Sequence, residues 1–314
     1  MLIGYYASIV VRKILRKCSN RESVKCFGEM NADKTIYIVT QDNDHAGLLS
    51  YVSLAIGHIA YAKKKGFYPV IDMMNFSNTY LDVCKIGVEN SWEYYFEQPD
   101  NISLQDAYSS KNVIMSSGAP AAWPNTGAEF ILYKKLVRNY WKKIVKQYIR
   151  IRPDVLAEVE RQVKKKISSQ DRVLGVLCRG TDYVALKPRR HPRQPSPEMV
   201  IKKAKRVMKK YNCNKLYLAT EDKKILEMFE KAFPDVMIPN DSELYDYDNV
   251  HFITEMKKER ENDAYLQGLE YLVSLLILAR CNCFIGGRTG GTVGTLLFAE
   301  EYEYEYVWNL GRYM

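Results

Sequence analysis

The sequence predicts an α/β fold of two Rossmann-like domains, in which parallel strands alternate with helices that cover both faces of each sheet. Short apolar runs alternate with stretches of helical periodicity along most of the chain, which is the pattern of βα units. The length of 314 residues suffices for two domains of about 100–200 residues each. The composition, 47% hydrophobic and 26% charged, is that of a folded globular protein and excludes a disordered or fibrous chain.

The first half opens with a predicted strand and helix. Residues 35–40 form an apolar run typical of a buried strand, and the polar residues 41–45 lead into an apolar-periodic helix from about 47 to 64. Two further short strands are predicted within residues 67–73 and 112–117. These elements indicate a first α/β domain.

A basic amphipathic helix is predicted from residue 129 to 148, where apolar residues recur at three and four and lysines and arginines fill the gaps. Its basic face is either an ordinary solvated surface or a contact for nucleic acid or membrane. Pro153 interrupts the helical pattern, and another helix begins at Val155. We therefore divide the chain into an N-terminal domain, residues 1–165, and a C-terminal domain, residues 166–314.

The second half shows the more regular alternation of strands and helices. The predicted strands are 172–178, 215–219, 235–238, 282–286 and 304–308. The predicted helices are 197–211, 222–232, 262–280 and 291–299. This order predicts a parallel sheet covered on both faces.

The charge balance favours a negatively charged partner. The chain has 46 Lys and Arg against 37 Asp and Glu, a net charge of +9, which suits nucleic acid, a membrane surface or a phosphorylated substrate. The basic residues are spread along the chain without a recognisable reading motif, so we expect no nucleic-acid partner.

The cysteines and the N-terminal residues bear on the compartment. Seven cysteines without a CxxC pair indicate a reducing compartment and argue against a zinc ribbon. The first eleven residues are apolar but too short to span a bilayer, and the basic cluster follows them, which reverses the order of a signal peptide. We expect a first helix or strand there, or a peripheral contact with an anionic membrane, in a cytoplasmic protein at the inner face.

The loop after the strand at 172–178 carries residues suited to a diphosphate. Arg179 is followed by Gly180, Thr181 and Asp182, and an arginine donates two parallel hydrogen bonds to phosphate oxygens. Because ligands bind outside the carboxyl ends of parallel strands, this is a candidate binding loop. An ion pair between Arg179 and Asp182 within the loop is the alternative.

A second candidate loop, Gly286 to Thr292, follows the strand at 282–286 and opens a helix. Its glycines let backbone N–H groups approach phosphate oxygens at the helix N-terminus. The spacing differs from the dinucleotide-binding G-x-G-x-x-G, and no Gly-Lys-Ser/Thr follows, which excludes a Walker A loop. A purely structural tight turn remains open.

Carboxylates follow the strand at 215–219. Glu221 and Asp222 come after Thr220 and are suited to accept N–H groups of a purine or hydroxyls of a ribose, or to cap the next helix. Asp246 and Asp248 form a D-x-D of the kind found in metal-dependent sugar transferases, but no hydrophobic strand leads into them. We therefore expect no metal site.

Three motifs together resemble the α1,6-fucosyltransferase and protein O-fucosyltransferase superfamily, including its bacterial polysaccharide-synthesis members. They are Arg-Gly-Thr-Asp after a buried strand, Ala-Thr-Glu-Asp after the next, and Ala-Arg-Cys-Asn before Phe-Ile-Gly-Gly-Arg-Thr-Gly-Gly. The resemblance covers about residues 170–300. It implies a GT-B fold with the site in the cleft between an N-terminal acceptor-side domain and a C-terminal nucleotide-sugar domain.

The same resemblance implies an inverting fucosyl transfer from GDP-fucose, without metal or other cofactor, to a sugar hydroxyl of a glycan, polysaccharide or lipid-linked glycan. Arg179 matches the diphosphate-binding arginine, and Asp44 and His45 are candidates for the base by their place after the first strand. The implied donor-binding residues are Arg179, Thr181, Asp182, Glu221, Asp222, Glu270, Gly287, Arg288, Thr289, Gly290, Gly291 and Thr292.

The sequence departs from the family pattern at several positions. Leu177 stands in the place of a histidine, Ser274 in that of an aspartate near the nucleoside, and Lys187 in that of an acid. Thr289-Gly290 replaces a Ser-Ser pair. The alternatives are therefore a glycosyltransferase for another GDP- or NDP-sugar and a noncatalytic nucleotide- or sugar-binding protein.

Overall fold

The computed structural model of the protein describes residues 22–41, 46–125, 132, 134–179, 184, 186–245 and 258–314. The chain divides into two compact units. The first comprises Met1–Asn125 and Asn139–Arg152, and the second comprises Thr126–Arg138 and Pro153–Met314.

The first unit is built on a small mixed sheet. Its strands are β1 (Ser23–Lys25), β2 (Ile36–Val39), β3 (Tyr68–Ile71) and β4 (Val113–Met115). They lie in the order β1-β4-β2-β3, with β2 parallel to both neighbours and β1 antiparallel to β4. Every residue of β2 is buried, which explains why this strand forms a continuous apolar run in the sequence.

Helices cover this sheet. Helix α1 (Leu48–Lys64) packs on β2 and β3, and the short α2 (Leu104–Ala107) contributes Leu104 to the core. Two 3₁₀ turns, Val83–Lys85 and Ser91–Tyr94, lie between β3 and α2. The sequence patterns predict neither α2 nor β1, because α2 has a single turn and all residues of β1 are exposed.

The chain passes from the second unit to the first within helix α3 (Lys135–Tyr148) and returns to the second unit at the start of helix α4 (Pro153–Lys166). The predicted start of α3 at 129 lies outside the described residues. Helix α4 belongs to the second unit because it packs against the helix at Asp263–Leu278. The division at Arg152 and Pro153 therefore precedes the predicted boundary at 165 by a whole helix.

The second unit contains a parallel sheet. Its strands are β5 (Val173–Leu177), β6 (Lys215–Ala219), β7 (Met237–Pro239), β8 (Cys283–Gly286) and β9 (Tyr304–Val307). The order is β7-β6-β5-β8-β9, and every pair is parallel. The chain proceeds outward from β5 to β7 and then returns to β8 on the other side, so the switch point lies between β5 and β8.

Helices lie on both faces of this sheet. They are α5 (Pro197–Tyr211), α6 (Lys223–Ala232), α7 (Asp263–Leu278) and α8 (Gly290–Phe298). Leu174 packs with residues of α5, while Gly175 faces the opposite side, where an added Cβ would lie 2.9 Å from Leu278 Cδ2. Every strand and helix predicted for this half is present, with ends that differ by at most two residues. In the described part of the chain no helix is long and apolar enough to cross a membrane.

Candidate functional site

A cleft opens at the carboxyl edge of the second sheet, beside its switch point. Residues after β5, β6 and β7 meet there with the side of α7 and the start of α8. The cleft is lined by Leu177, Arg179, Ala219, Thr220, Glu221, Asn240, Tyr271, Ser274 and Thr289. A crevice at this position is where open α/β sheets bind ligands.

Arg179 lies in this cleft, two residues after the end of β5. The backbone N–H of Cys178 donates to the carbonyl of Ala219 at 3.2 Å, which extends the β5–β6 pairing by one residue and fixes where Arg179 leaves the sheet. Its side chain is half-buried and lines the cleft with Thr289. Thr181 and Asp182, and with them the predicted ion pair within the loop, lie outside the described residues.

The glycine loop is held in shape by its own hydroxyls. Thr289 caps α8, because its Oγ1 accepts a hydrogen bond from the N–H of Thr292 at 3.1 Å. The hydroxyl of Thr292 donates to the carbonyl of Gly287 at 2.5 Å and is fully buried. The amides of Gly290 and Gly291 begin the helix, and first-turn amides have no acceptor within a helix. These amides are the groups that the loop offers to an anion.

Gly287 and Arg288 have structural partners. An added Cβ at Gly287 would lie 2.0 Å from Gln194 Oε1, so any side chain there would have to displace the Gln194 amide. Gln194 Nε2 donates to the carbonyl of Arg288 at 3.2 Å. The Arg288 side chain is 2% exposed, and its Nη1 donates to Asn309 Oδ1 at 3.1 Å. Neither residue lines the cleft, and both attach the loop to its surroundings.

The structure separates the two carboxylates after β6. Asp222 is buried and caps α6, because its Oδ1 accepts from the N–H of Ile225 at 3.1 Å, while its own N–H donates to Thr220 Oγ1 at 3.2 Å. Glu221 lines the cleft. The sequence left open whether these carboxylates bind a ligand or cap the next helix. Asp222 caps the helix, and Glu221 lies in the candidate binding cleft.

Glu270 lies in a charged cluster. Its carboxylate accepts from Arg260 Nη1 at 2.5 Å and from the N–H of Glu243 at 3.1 Å, and Arg260 also bridges Asp263. The cleft is lined instead by the next residue of α7, Tyr271, and by Ser274, whose hydroxyl donates to the Tyr271 carbonyl at 2.8 Å.

Sequence reasoning did not propose Asn240 or Tyr271 for the site. Asn240 follows β7 and bonds to neighbours: its Oδ1 accepts from the N–H of Thr220 at 3.5 Å and its Nδ2 donates to Ser242 Oγ at 2.7 Å. Its position after a parallel strand was the signal that could have found it. Tyr271 carries no such signal, because its place depends on how α7 docks on the sheet.

Comparison with known proteins decides the fold. No model of a protein family and no curated protein matches this chain. The crystal structure of NodZ α-1,6-fucosyltransferase soaked with GDP-fucose superposes with a TM-score of 0.51 at 14% identity, covering 85% of this chain and 93% of that chain. The chain has the fold of an α1,6-fucosyltransferase. The GT-B class implied by the three motifs is thereby confirmed.

Two further solved structures are similar to this chain. Fucosyltransferase NodZ from Bradyrhizobium has a TM-score of 0.46 at 14% identity, covering 80% of this chain and 88% of that chain. POFUT1 in complex with GDP-fucose has a TM-score of 0.49 at 10% identity, covering 89% of this chain and 99% of that chain.

Several predicted site residues lie outside the described residues. Asp44 and His45, the candidates for the base, are among them, as are Asp246 and Asp248 of the D-x-D. In the part of the chain that the structure describes, no three His, Cys, Asp or Glu side chains converge as metal ligands would. The absence of a metal requirement stays a prediction.

Cys178 adjoins Arg179 at the end of β5, but its thiol should not react. Burial, reinforced by the charges of Asp222 and Glu198, raises the pKa of its thiol to about 12, and the thiolate is the reactive form. We expect iodoacetamide at pH 8 to label the exposed Cys26 and Cys84 and to leave Cys178 unlabelled until the protein unfolds. Peptide mass mapping measures this, and labelling of Cys178 at the rate of Cys26 would contradict its burial.

Proposed function

We propose that this protein is an inverting glycosyltransferase that transfers fucose from GDP-fucose to a hydroxyl of a glycan or lipid-linked glycan in polysaccharide biosynthesis. One observation carries the proposal: Arg179 after β5 and the N-terminus of α8 after β8 meet in one cleft at the switch point of the sheet. The order of the three motifs and the shared fold support it. The proposed location is cytoplasmic, with peripheral contact at the inner face of the membrane.

The cleft is suited to a departing diphosphate. When the bond between the sugar carbon and the phosphate oxygen breaks, negative charge grows on the diphosphate, and fixed donors aimed at that charge lower the barrier. Arg179 supplies a guanidinium, and the amides of Gly290 and Gly291 supply dipoles reinforced by the helix. Thr289 keeps those amides in place by capping α8.

We assign the nucleoside end of the donor to the part of the cleft lined by Glu221, Asn240 and Ser274. A guanine presents N–H donors that a carboxylate accepts, and a ribose presents hydroxyls. Glu221 is an acceptor there, and Asn240 and Ser274 add amide and hydroxyl groups. Ser274 stands where the family pattern has an aspartate near the nucleoside, and we assign the role of that carboxylate to Glu221.

The acceptor step requires a proton to move. The acceptor oxygen attacks the sugar carbon from the face opposite the diphosphate, so the new C–O bond forms as the old one breaks and the configuration inverts. The proton of the hydroxyl passes to a general base as the oxygen attacks. We assign that base to Asp44 or His45 because both follow β2.

A nucleotide panel tests the donor assignment. We expect GDP to raise the unfolding temperature and UDP, ADP and NAD to leave it unchanged, because only a ligand of the folded state stabilises it by mass action. At a ligand concentration 100 times its Kd, the stabilisation is about 2.7 kcal/mol. A larger shift with UDP or ADP would replace GDP-fucose by another nucleotide sugar.

Turnover separates an enzyme from a binding protein. We expect slow release of fucose from GDP-fucose in water and faster transfer when a glycan is added, both unchanged in EDTA. Binding of GDP without any release would favour the noncatalytic alternative. Loss of activity in EDTA and recovery with Mn²⁺ would move the site to Asp246 and Asp248.

A further inference from the structure

A basic loop lies beside the glycine loop in the second unit. We give this name to the exposed cations Lys187, Arg189, Arg190 and Arg193, in a stretch that pairs with the C-terminal segment through the bridge between Pro192 and Arg312. Gln194, the residue that follows, is buried against Gly287 and donates to the carbonyl of Arg288. Four extended residues span at most about 14 Å, so the Cα of Arg190 lies within that distance of the Cα of Gln194, whose side chain contacts the glycine loop.

Backbone hydrogen bonds tie the basic loop to the C-terminal segment. The N–H of Arg190 donates to the carbonyl of Tyr313 at 2.9 Å, that of Tyr313 to His191 at 3.0 Å, and that of Arg193 to Gly311 at 3.0 Å. The guanidinium of Arg193 also lies over the ring of Tyr313, 5.6 Å from its centre. These bonds fix the backbone from which the cationic side chains extend.

The charges of this loop are not neutralised within the described residues. Lys187, Arg189, Arg190 and Arg193 make no ion pair there, and neither the described residues from 184 to 197 nor residues 306–314 contain an Asp or Glu. Arg138, by contrast, is neutralised by the carboxylate of Glu305 at 2.6 Å. A concentration of like charge next to a site costs free energy unless an anion shares it.

Two of the cations occupy an unfavourable backbone region. Lys187 has φ of 44° and Arg190 has φ of 66°, a left-handed conformation that glycine or asparagine adopts at lower cost. The long cationic side chains stand there although shorter residues would suit the turn. This is consistent with a use for the charges themselves.

We propose that the basic loop binds a negatively charged group, phosphate or carboxylate, on the acceptor glycan, so that this protein selects an anionic acceptor. This inference rests on the proposed function, because the diphosphate of the donor is already assigned to Arg179 and α8 within the cleft. The arginines can each bind an oxyanion through two parallel hydrogen bonds. A neutral glycan would leave these cations without a partner.

Two matched variants test the proposal. The loop variant carries K187Q, R189Q, R190Q and R193Q. The control carries K202Q, K205Q, K209Q and K210Q, which remove the same charge from the exposed face of α5. Calorimetry in 50 mM NaCl measures the Kd of tetragalacturonate, its uncharged methyl ester and pentamannose phosphate, and separately the Kd of GDP.

We expect wild type to bind one or both anionic oligosaccharides and not the methyl ester. The loop variant should bind them at least tenfold more weakly, and the control should change by less than twofold. GDP affinity should change by less than twofold in both, and 0.5 M NaCl should weaken the oligosaccharide complex because it screens the charges. Binding of tetragalacturonate would identify the anion as a carboxylate, and binding of pentamannose phosphate would identify it as a phosphate. If the quadruple variant unfolds, R189Q and R193Q measured singly should each weaken binding two- to fourfold.

Three results would overturn the inference. If both variants bound the anionic oligosaccharides equally weakly, the effect would come from the overall charge of the protein. If the methyl ester bound as tightly as tetragalacturonate, the negative charge would play no part in recognition. Loop-dependent binding to phosphatidylglycerol vesicles, without binding of either oligosaccharide, would assign the loop to a membrane surface. A protein that binds anionic oligosaccharides through the loop but neither binds GDP nor uses GDP-fucose would retain this site and lose the proposed function.

Discussion

Replacing Arg179 by lysine should lower kcat by roughly 30- to 1000-fold, which corresponds to about 2–4 kcal/mol of transition-state stabilisation. Lysine keeps the positive charge but loses the planar fork that donates two parallel hydrogen bonds to a diphosphate. The half-buried position of Arg179 in the cleft, next to the cap of α8, makes that geometry matter. Steady-state kinetics with GDP-fucose measures the loss.

The same substitution at Arg172 is the matched control. Arg172 stands at the other end of β5 and forms an exposed ion pair with Glu303 at 2.5 Å, and such pairs contribute about 0–1 kcal/mol. Arg172→Lys should leave kcat within twofold of wild type. Near-wild-type turnover by Arg179→Lys would remove Arg179 from the mechanism.

Replacing Gly290 by valine should weaken GDP binding by about 10- to 100-fold while the fold survives. Gly290 is the first residue of α8 and follows Thr289, which lines the cleft. A β-branched side chain there obstructs the approach of the phosphates to the helix amides. The backbone is helical at this position, where valine costs no more than glycine, so unfolding should change little. Calorimetry with GDP, together with a melting curve, measures both quantities.

Substitution of the neighbouring Gly291 should affect the stability of the fold, in contrast to the effect of Gly290→Val on GDP affinity. An added Cβ at Gly291 would lie 2.8 Å from the Tyr271 hydroxyl and 3.2 Å from Leu177 Cδ2. Gly291→Val should therefore overpack this contact and lower the free energy of unfolding by about 1–3 kcal/mol. Unchanged GDP affinity in a folded Gly290→Val variant would show that the glycines serve the turn and that the phosphates bind elsewhere.

Some of the site is readable in the sequence because it depends on position along the chain. Arg179 directly follows a buried strand, and Thr289 precedes a helix in a glycine-rich turn. In a parallel sheet, strand ends meet at one edge, so both residues had to lie near the same crevice. The apolar runs of β5, β6 and β8 were equally readable, because both faces of these strands are covered.

Other features depend on contacts between distant residues. The sequence places Glu221 and Asp222 together, but only the capping of α6 shows that Asp222 is used locally while Glu221 lines the cleft. The resemblance implies Glu270 and Arg288 as donor-binding residues, but only the structure shows that Glu270 pairs with Arg260 and that Arg288 donates to Asn309.

The sequence by itself determined the alternation of strands and helices in the second unit, the carboxyl edge on which a site would lie, and the residues nearest to it. Only the tertiary structure decided which of those side chains enter the cleft, that Tyr271 of α7 joins them, and that α4 belongs with the second unit. The reason is physical. Periodicity follows from local geometry and burial, whereas the direction of a polar side chain follows from the partner it finds, and that partner is often far away in sequence.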